Sequence, residues 1–355
     1  MISTFNRTIN KTVNKTMNKT VCGTINKLSK KYNINKYVLY FILLLIIVFI
    51  IILLISLIVI IELYLKMYFK NKLYKESYNN YQINYTKYDI GNEYILPRVI
   101  YGYWDNLEEN EIIQAHVNTW YRNVAPGWKV EMITRKNVHN YVDPEFLEKF
   151  QNIDAVRFSD FLRVYLLSKN GGVWIDAGTI LINGDFLEKY REEMMSQKID
   201  VLIYEFKAHS KPEQPYLENW FLMSPKGSLF ITDLYNEFNN AYDMDFVKYK
   251  HEVLAPKINF ENSMGDGDGT YHMQHGIIHF LLKSNRNRYN MSIKDAEESM
   301  FKAQKINDWD SERLIRYIID NPNLSDDYYA IKLVGFNRAP IKSCKTEFIN
   351  KLNNL

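Results

Sequence analysis

The pattern of apolar and polar positions divides the chain into a tail, an apolar rod and a folded body. Tyr37 to Ile61 is a run of 25 uncharged, overwhelmingly apolar residues. At about 1.5 Å per residue a helix of that length exceeds the roughly 30 Å hydrocarbon core of a bilayer. The run therefore predicts a transmembrane helix over 37–61, and its uncharged length argues against a buried core helix. It is too long for the core of a cleaved signal peptide and continues into Glu62-Leu63-Tyr64, as an uncleaved signal anchor would. Residues 1–36 repeat with period four (Asn6-Arg7-Thr8, Asn10-Lys11-Thr12, Asn14-Lys15-Thr16, Asn18-Lys19-Thr20) and bury too little apolar surface to offset ordering entropy. They read as a disordered basic tail, and residues 62–94, rich in Tyr, Asn and Lys without apolar period, read as a stem.

The body begins at Leu96-Pro97, where Val99 to Trp104 has strand composition. An amphipathic helix follows from Glu109 to about Arg122, with Ile112, Ile113, His116, Val117 and Trp120 on one face. Trp128 to Ile133 then alternates as a second strand. Strand, helix, strand in this order is the βαβ pattern of an α/β domain with a parallel sheet. A further strand is expected at Asp200–Phe206, a strand or turn lining the site at Asn219–Met223, and helices at Phe230–Tyr242 and Asp308–Asp320. The domain is read as 95–344, and the Asn/Lys-rich residues 345–355 as a polar tail.

Charge changes this picture in two ways. Residues 1–36 hold eight Lys or Arg and no acid; without them 36 basic residues face 41 acidic ones, a net of −5, so the body lacks the positive field that nucleic-acid binding requires. The basic excess ahead of the apolar run, against Lys66, Lys70, Lys72 and Lys75 behind it, predicts a cytoplasmic N-terminus. The body would then be lumenal, as in the Golgi or endoplasmic reticulum, or extracytoplasmic. Cys22 and Cys344 lie on opposite sides of the apolar run, which excludes a Cys-rich metal site and argues against an internal disulfide.

The chemistry concentrates between Ala155 and Ile182. Ala155 to Lys169 has helical period; Asp160 and Arg163, about 60° apart on the wheel, share a side with Val164 and Leu167. Charges bracketed by apolar residues are usually paired or aimed into a cleft. An i,i+3 ion pair locking a buried helix is as good an account as a ligand-binding pair. Gly171 stops the helix, Gly172 permits a sharp turn, and Val173-Trp174-Ile175 carries Asp176 to a strand tip, where it could equally cap a turn. Ligands of open α/β sheets sit at the carboxyl ends of strands, so Tyr103 and Trp104 at the end of the first strand could stack on a planar base, or simply pack. Asp266 and Asp268 in Met264-Gly265-Asp266-Gly267-Asp268-Gly269 form a glycine-spaced loop that could supply metal ligands or be an ordinary turn. His272 and His275 are open to a metal or acceptor-base role or to a place on a helix face.

Ser159-Asp160-Phe161-Leu162-Arg163, followed after a gap by Gly171-Gly172-Val173-Trp174-Ile175-Asp176-Ala177, resembles the signature of the capsular polysaccharide synthesis family of glycosyltransferases. It is similar, more distantly, to sugar transferases with an Asp-X-Asp motif, including the glucosylating domains of large clostridial toxins. The likeness runs from Leu96 to Trp104, through Trp120–Trp128 and Asn219-Trp220-Phe221-Leu222, and more weakly to Tyr271–Phe280 and Lys332-Leu333. What the resemblance implies is a GT-A (Rossmann-like) α/β domain behind a single transmembrane helix. It would be a membrane-anchored enzyme moving a sugar, with retention, from a nucleotide-sugar donor to a glycan or a lipid- or protein-linked acceptor. On that reading Asp160, Arg163 and Asp176 are catalytic. Tyr103, Trp104, Gly172, Asn219 and Trp220 line the donor site. Asp176 holds a divalent metal (Mn²⁺ or Mg²⁺), with Asp266 or Asp268 as possible second ligands. Gly178 stands where an Asp-X-Asp enzyme has its second acid, which weakens the metal expectation. An inactive glycan- or nucleotide-binding relative, or a membrane scaffold, would share the same pattern.

Overall fold

The computed structural model describes residues 21, 23–31, 35–82, 93–211, 214–258, 270–284 and 288–355. It separates into two compact units, Met1–Leu73 and Tyr74–Leu355. Helix α1 (Lys36–Gln82) contains, within the first unit, the stretch Tyr37–Leu65, 29 residues with no burial, which is long and apolar enough to cross a membrane. The same helix continues to Gln82, through much of the segment expected to be a stem. Of the tail expected to be disordered, residues 1–20 lie outside the described residues, whereas 23–31 are helical.

The second unit is a three-layer α/β body. Strands β1 (Val99–Tyr103), β2 (Lys129–Ile133), β3 (Gly172–Ile175), β5 (Val201–Glu205), β6 (Leu217–Ser224) and β7 (Met291–Asp295) form one sheet in the order β2-β1-β3-β6-β5-β7. A separate ladder joins β4 (Thr179–Leu181) to β8 (Ala330–Lys332). The main helices are α2 (Glu111–Asn123), α3 (Pro144–Phe150), α4 (Ala155–Asn170), α5 (Asp185–Gln197), α6 (Leu229–Met244), α7 (Met273–Ser284), α8 (Ser311–Asp320) and α9 (Lys345–Asn353).

The β1-α2-β2 unit is parallel, as the sequence predicts, and β3 lies parallel to β1. The sheet as a whole is mixed, not parallel: β6 runs antiparallel to both β3 and β5. The reason is local. A short connection with a Lys211–Gln214 bridge turns the chain straight back after β5, without the helical crossover that a parallel neighbour needs.

Alternation along the strands sorts the core. Tyr101, Tyr103, Trp174 and Leu222 point to a face covered by α4, α6 and α7, while Ile100, Val173, Ile175 and Phe221 meet α2 and α5 on the other. Gly102 lets the second face close, since a Cβ there would lie 2.6 Å from the ring of Trp120. A third cluster gathers Ile180, Leu314, Ile331, Phe348 and Leu352. It corrects the reading of 345–355 as a polar tail. These residues form α9, in which Phe348 and Leu352, one turn apart, are fully buried amid Asn and Lys that hide the stripe in the composition.

Candidate active site

Helix α4 is capped by Asp154, whose carboxylate accepts from the backbone N–H groups of Val156 and Arg157, and it ends at Gly171 with φ of +69°. Gly172 follows at φ +107°; both glycines occupy the region L side chains avoid, and at Gly171 a Cβ would also strike the Lys226 backbone at 2.4 Å. This tight reversal sets β3 beside the helix that precedes it. The polar edge of α4 thereby faces the residue that follows the strand, Asp176.

The two carboxylates share one guanidinium. Arg163 Nη1 donates to Asp160 Oδ1 at 2.5 Å and to Gln274 Oε1 at 3.0 Å, while Nη2 donates to Asp176 Oδ1 at 3.0 Å. The i,i+3 pair considered as a helix lock is thus present, and the same arginine ties the helix to the strand tip. Arg157, one turn earlier, binds the other oxygen of Asp160 at 3.1 Å. Gln274 of α7 donates to the Asp160 carbonyl at 2.6 Å and accepts from Asn219 of β6 at 2.9 Å.

Asp176 is held from every side. Its Oδ1 accepts also from Trp174 Nε1 at 2.9 Å, its Oδ2 accepts from Lys332 Nζ at 3.0 Å, and its N–H donates to the Trp220 carbonyl at 2.9 Å. Lys332 arrives on β8, which pairs with β4 just past the Asp176 turn; Leu333 N–H donates to the Gly178 carbonyl at 2.8 Å. Asp176 keeps 28% of its side chain exposed, against 7% for Asp160 and 4% for Arg163. Of the three, Asp176 is therefore the one a ligand can reach, and Asp160 serves to hold Arg163.

Burial raises the Asp176 carboxyl pKa, but Lys332 and then Arg163 overcome it and bring it down to about 2, so it is ionised at neutral pH. At Asp160 burial wins and the pKa is raised against Arg163 and Arg157. Burial also lowers Lys332, opposed mainly by Asp176.

The remaining expected site residues divide. Trp104 follows β1 as Asp176 follows β3, so both stand at the carboxyl ends of adjacent parallel strands; Trp104 is half-buried, with the Arg338 guanidinium 5.6 Å from its ring. Tyr103 is instead a core residue, packed 5.3 Å from Phe158, with its hydroxyl donating to Asp105. Trp220 lies in the core, stacked 5.1 Å from Tyr204, and Gly172 serves the turn, with Val99 where its side chain would be. Asn219 joins the Asp160–Gln274 network. His275 pairs with Glu218 at 3.5 Å and stacks on Tyr216. Asp266 and Asp268 lie outside the described residues.

Four residues carry more of the site than the sequence indicated: Arg157, Gln274, Lys332 and Arg338. Lys332 had a signal, a lone charge inside the apolar run Ala330-Ile331-Lys332-Leu333-Val334. Arg157 stands at the same i,i+3 spacing from Asp160 as Arg163. Gln274 and Arg338 had none beyond a weak flanking likeness at Gln274.

The donor set described does not fit a divalent cation. Both Asp176 oxygens are bonded by cationic side chains, and among the described residues no group of three His, Cys, Asp or Glu could hold a metal.

A model of the capsular polysaccharide synthesis protein family matches residues 57–292, about two thirds of the chain. The chain belongs to that family. The match contains Asp160, Arg163, Asp176, Asn219 and Gln274 and ends before Lys332 and Arg338. Among curated relatives, the O-glycosyltransferase braB of Annulohypoxylon truncatum is 27% identical over 163 residues, 41% of this chain and 37% of that protein. The glycosyltransferase afumC of Aspergillus fumigatus is 27% identical over 161 residues, 41% of each. This family member thus spans about two fifths of the length of the curated relatives it matches. Among solved structures, the glycosyltransferase GlyE of Streptococcus pneumoniae overlaps with a TM-score of 0.36 at 10% identity, over 73% of this chain and 63% of that one. The PaToxG glycosyltransferase overlaps with a TM-score of 0.26 at 14% identity, over 61% and 94%.

Proposed function

We propose that this chain is a glycosyltransferase of GT-A type, moving a sugar from a nucleotide-sugar donor to a hydroxyl of a glycan or of a lipid- or protein-linked acceptor. The observation that carries the reading is the ionised, partly exposed Asp176 at the end of β3, fixed by Arg163 and Lys332 beside Trp104 at the end of β1. Carboxyl ends of neighbouring strands are where α/β sheets bind nucleotides. Departure of a diphosphate builds negative charge, and fixed cations in a partly dehydrated site stabilise it. Trp104 presents a ring for the base. Asp176 orients Arg163 and Lys332 and offers a carboxylate to donor hydroxyls. Asp160, largely enclosed, positions Arg163. The family and the names of the curated relatives support the same reaction class. The apolar helix would anchor the enzyme, with the basic N-terminal side cytoplasmic and the α/β body lumenal or extracytoplasmic.

The test is a donor screen on the full chain in detergent, measuring nucleotide release from UDP-, GDP- and CMP-sugars and resolving the product anomer by NMR. Turnover of one donor, lost by about a hundredfold or more in Asp176→Asn, is the expected outcome for a group acting on developing charge. Unchanged turnover in that variant would remove Asp176 from the mechanism. A binder without turnover would bind nucleotide and release none, and a scaffold would bind none.

A further inference from the structure

Gly178 occupies the place of the second acid in the Asp-X-Asp pattern, and the structure shows what fills the space. A Cβ built there lies 2.6 Å from the Leu333 carbonyl, 2.7 Å from Arg338 Nη1 and 3.5 Å from Lys332 Nζ. A carboxylate side chain has no room at this position; a guanidinium and an ammonium already stand beside it. We propose that Arg338 and Lys332 take over the charge-neutralising role of a divalent cation at the donor diphosphate, so that this chain binds and uses its donor without a metal. This inference rests on the nucleotide-sugar reading above.

Three further observations point the same way. Both oxygens of Asp176 are already bonded, to Arg163 and Trp174 on one side and Lys332 on the other, so two cationic side chains already neutralise the carboxylate on which a metal would have to depend. Arg338 spends one N–H on the Leu333 carbonyl at 3.0 Å and has no carboxylate partner among the described residues. A guanidinium carries five N–H donors, so a fork remains for phosphate oxygens. The cations also outnumber the acids: Arg157, Arg163, Lys332 and Arg338 stand against Asp160, Asp176 and, at longer range, Glu218. An anion brought to Arg338, next to the Trp104 ring, meets a local positive excess, whereas a divalent cation there meets repulsion.

In the transfer itself, the bond from C1 of the sugar to the diphosphate oxygen breaks with its electron pair going to that oxygen. The acceptor oxygen bonds C1, and its hydroxyl proton leaves to solvent or to the departing diphosphate. Arg338 holds the added charge throughout by ion pairing, and Lys332, enclosed against Asp176, adds to the positive field behind it.

The experiment measures binding of UDP, GDP and inorganic pyrophosphate to the full chain in detergent by calorimetry, in EDTA and in Mn²⁺. Expected is diphosphate binding in EDTA within about threefold of that in Mn²⁺, weakened about tenfold in EDTA by Arg338→Gln and largely restored by Arg338→Lys, as for loss and return of one charge-assisted contact. Binding that requires Mn²⁺, or gains more than about tenfold from it, overturns the inference and leaves the glycosyltransferase reading standing. Metal-indifferent binding unaffected by Arg338→Gln also overturns it, by removing Arg338 from the site. Absence of binding by any of the three probes in both buffers sinks the nucleotide-sugar reading itself. Arg338 is half-buried and the thermal melt of each variant shows whether it is folded; should Arg338→Gln fail, Lys332→Met provides the same comparison.

Discussion

Removing Asp176 and removing Lys332 should have very different costs, although the two are partners in one ion pair. The Asp176 carboxyl, at about 2 in place of 3.8, stabilises the folded state by about 2 kcal/mol above pH 4, a contribution lost as pH falls toward 2. Asp176→Asn forfeits this and strands the Lys332 ammonium, whose side chain is only 7% exposed, among Arg163 and Arg338. Breaking a buried pair from that side costs about 3–5 kcal/mol. Lys332→Met, by contrast, leaves Asp176 bonded to Arg163 and Trp174 and removes a charge that burial disfavours, so its cost should be about 1 kcal/mol or less. The double variant should lose less than the two singles together, with a coupling of about 1–3 kcal/mol. Urea melts of the full chain in detergent, followed by tryptophan fluorescence, suit the measurement because all six tryptophans lie between residues 104 and 309. Equal costs for the two single variants, or additivity to within about 0.5 kcal/mol, would refute the argument that Asp176 compensates a cluster of enclosed cations.

Two other outcomes follow from the fold. His116 is fully buried, and burial followed by Arg338 lowers its pKa to about 3, below the ordinary 6.5; the unfolded chain therefore takes up the proton first, and stability should fall by about 2 kcal/mol between pH 8 and pH 5, a slope that His116→Leu removes. An unchanged slope in that variant would show that other groups dominate the acid limb. Phe348→Ala should cost about 3–5 kcal/mol by leaving a cavity between α9 and the β4–β8 ladder, and a loss below about 1 kcal/mol in the same melts would mean that α9 is not docked.

Periodicity served well where one element carries its own signal. β1, α2 and β2 alternate or repeat within their own boundaries, and the glycine pair after α4 fixes a turn by backbone sterics alone, so both were legible. So was the trio Asp160, Arg163 and Asp176, which sits within 17 residues. Strand direction was not, because the antiparallel course of β6 depends on a connection whose residues resemble any loop. Tyr103 and Trp104 are neighbours in sequence, yet the period-2 alternation of a strand sends one into the core and leaves the other half exposed. Lys332 carried a signal as a lone charge in an apolar run, but its partner, like the placing of Arg338 just after it, comes only from pairing β8 with β4, a contact between segments some 150 residues apart. Phe348 and Leu352 were legible in principle, as an i,i+4 pair, but composition outweighed spacing.

The distance along the chain between Asp176 and Lys332 has a consequence in time. The two residues are separated by 156 positions, and a ribosome adding about 5–20 residues per second needs roughly eight to thirty seconds to travel from one to the other. Throughout that interval the nascent chain can form α4, its glycine turn and β3, while the ammonium that completes the pair has not yet been made. The Asp176–Lys332 pair is thus completed late in synthesis and all at once, when β8 docks on β4. A chain interrupted before residue 330 would carry all six strands of the main sheet with Arg157 and Arg163 in place, but with Asp176 lacking its lysine and Arg338 missing.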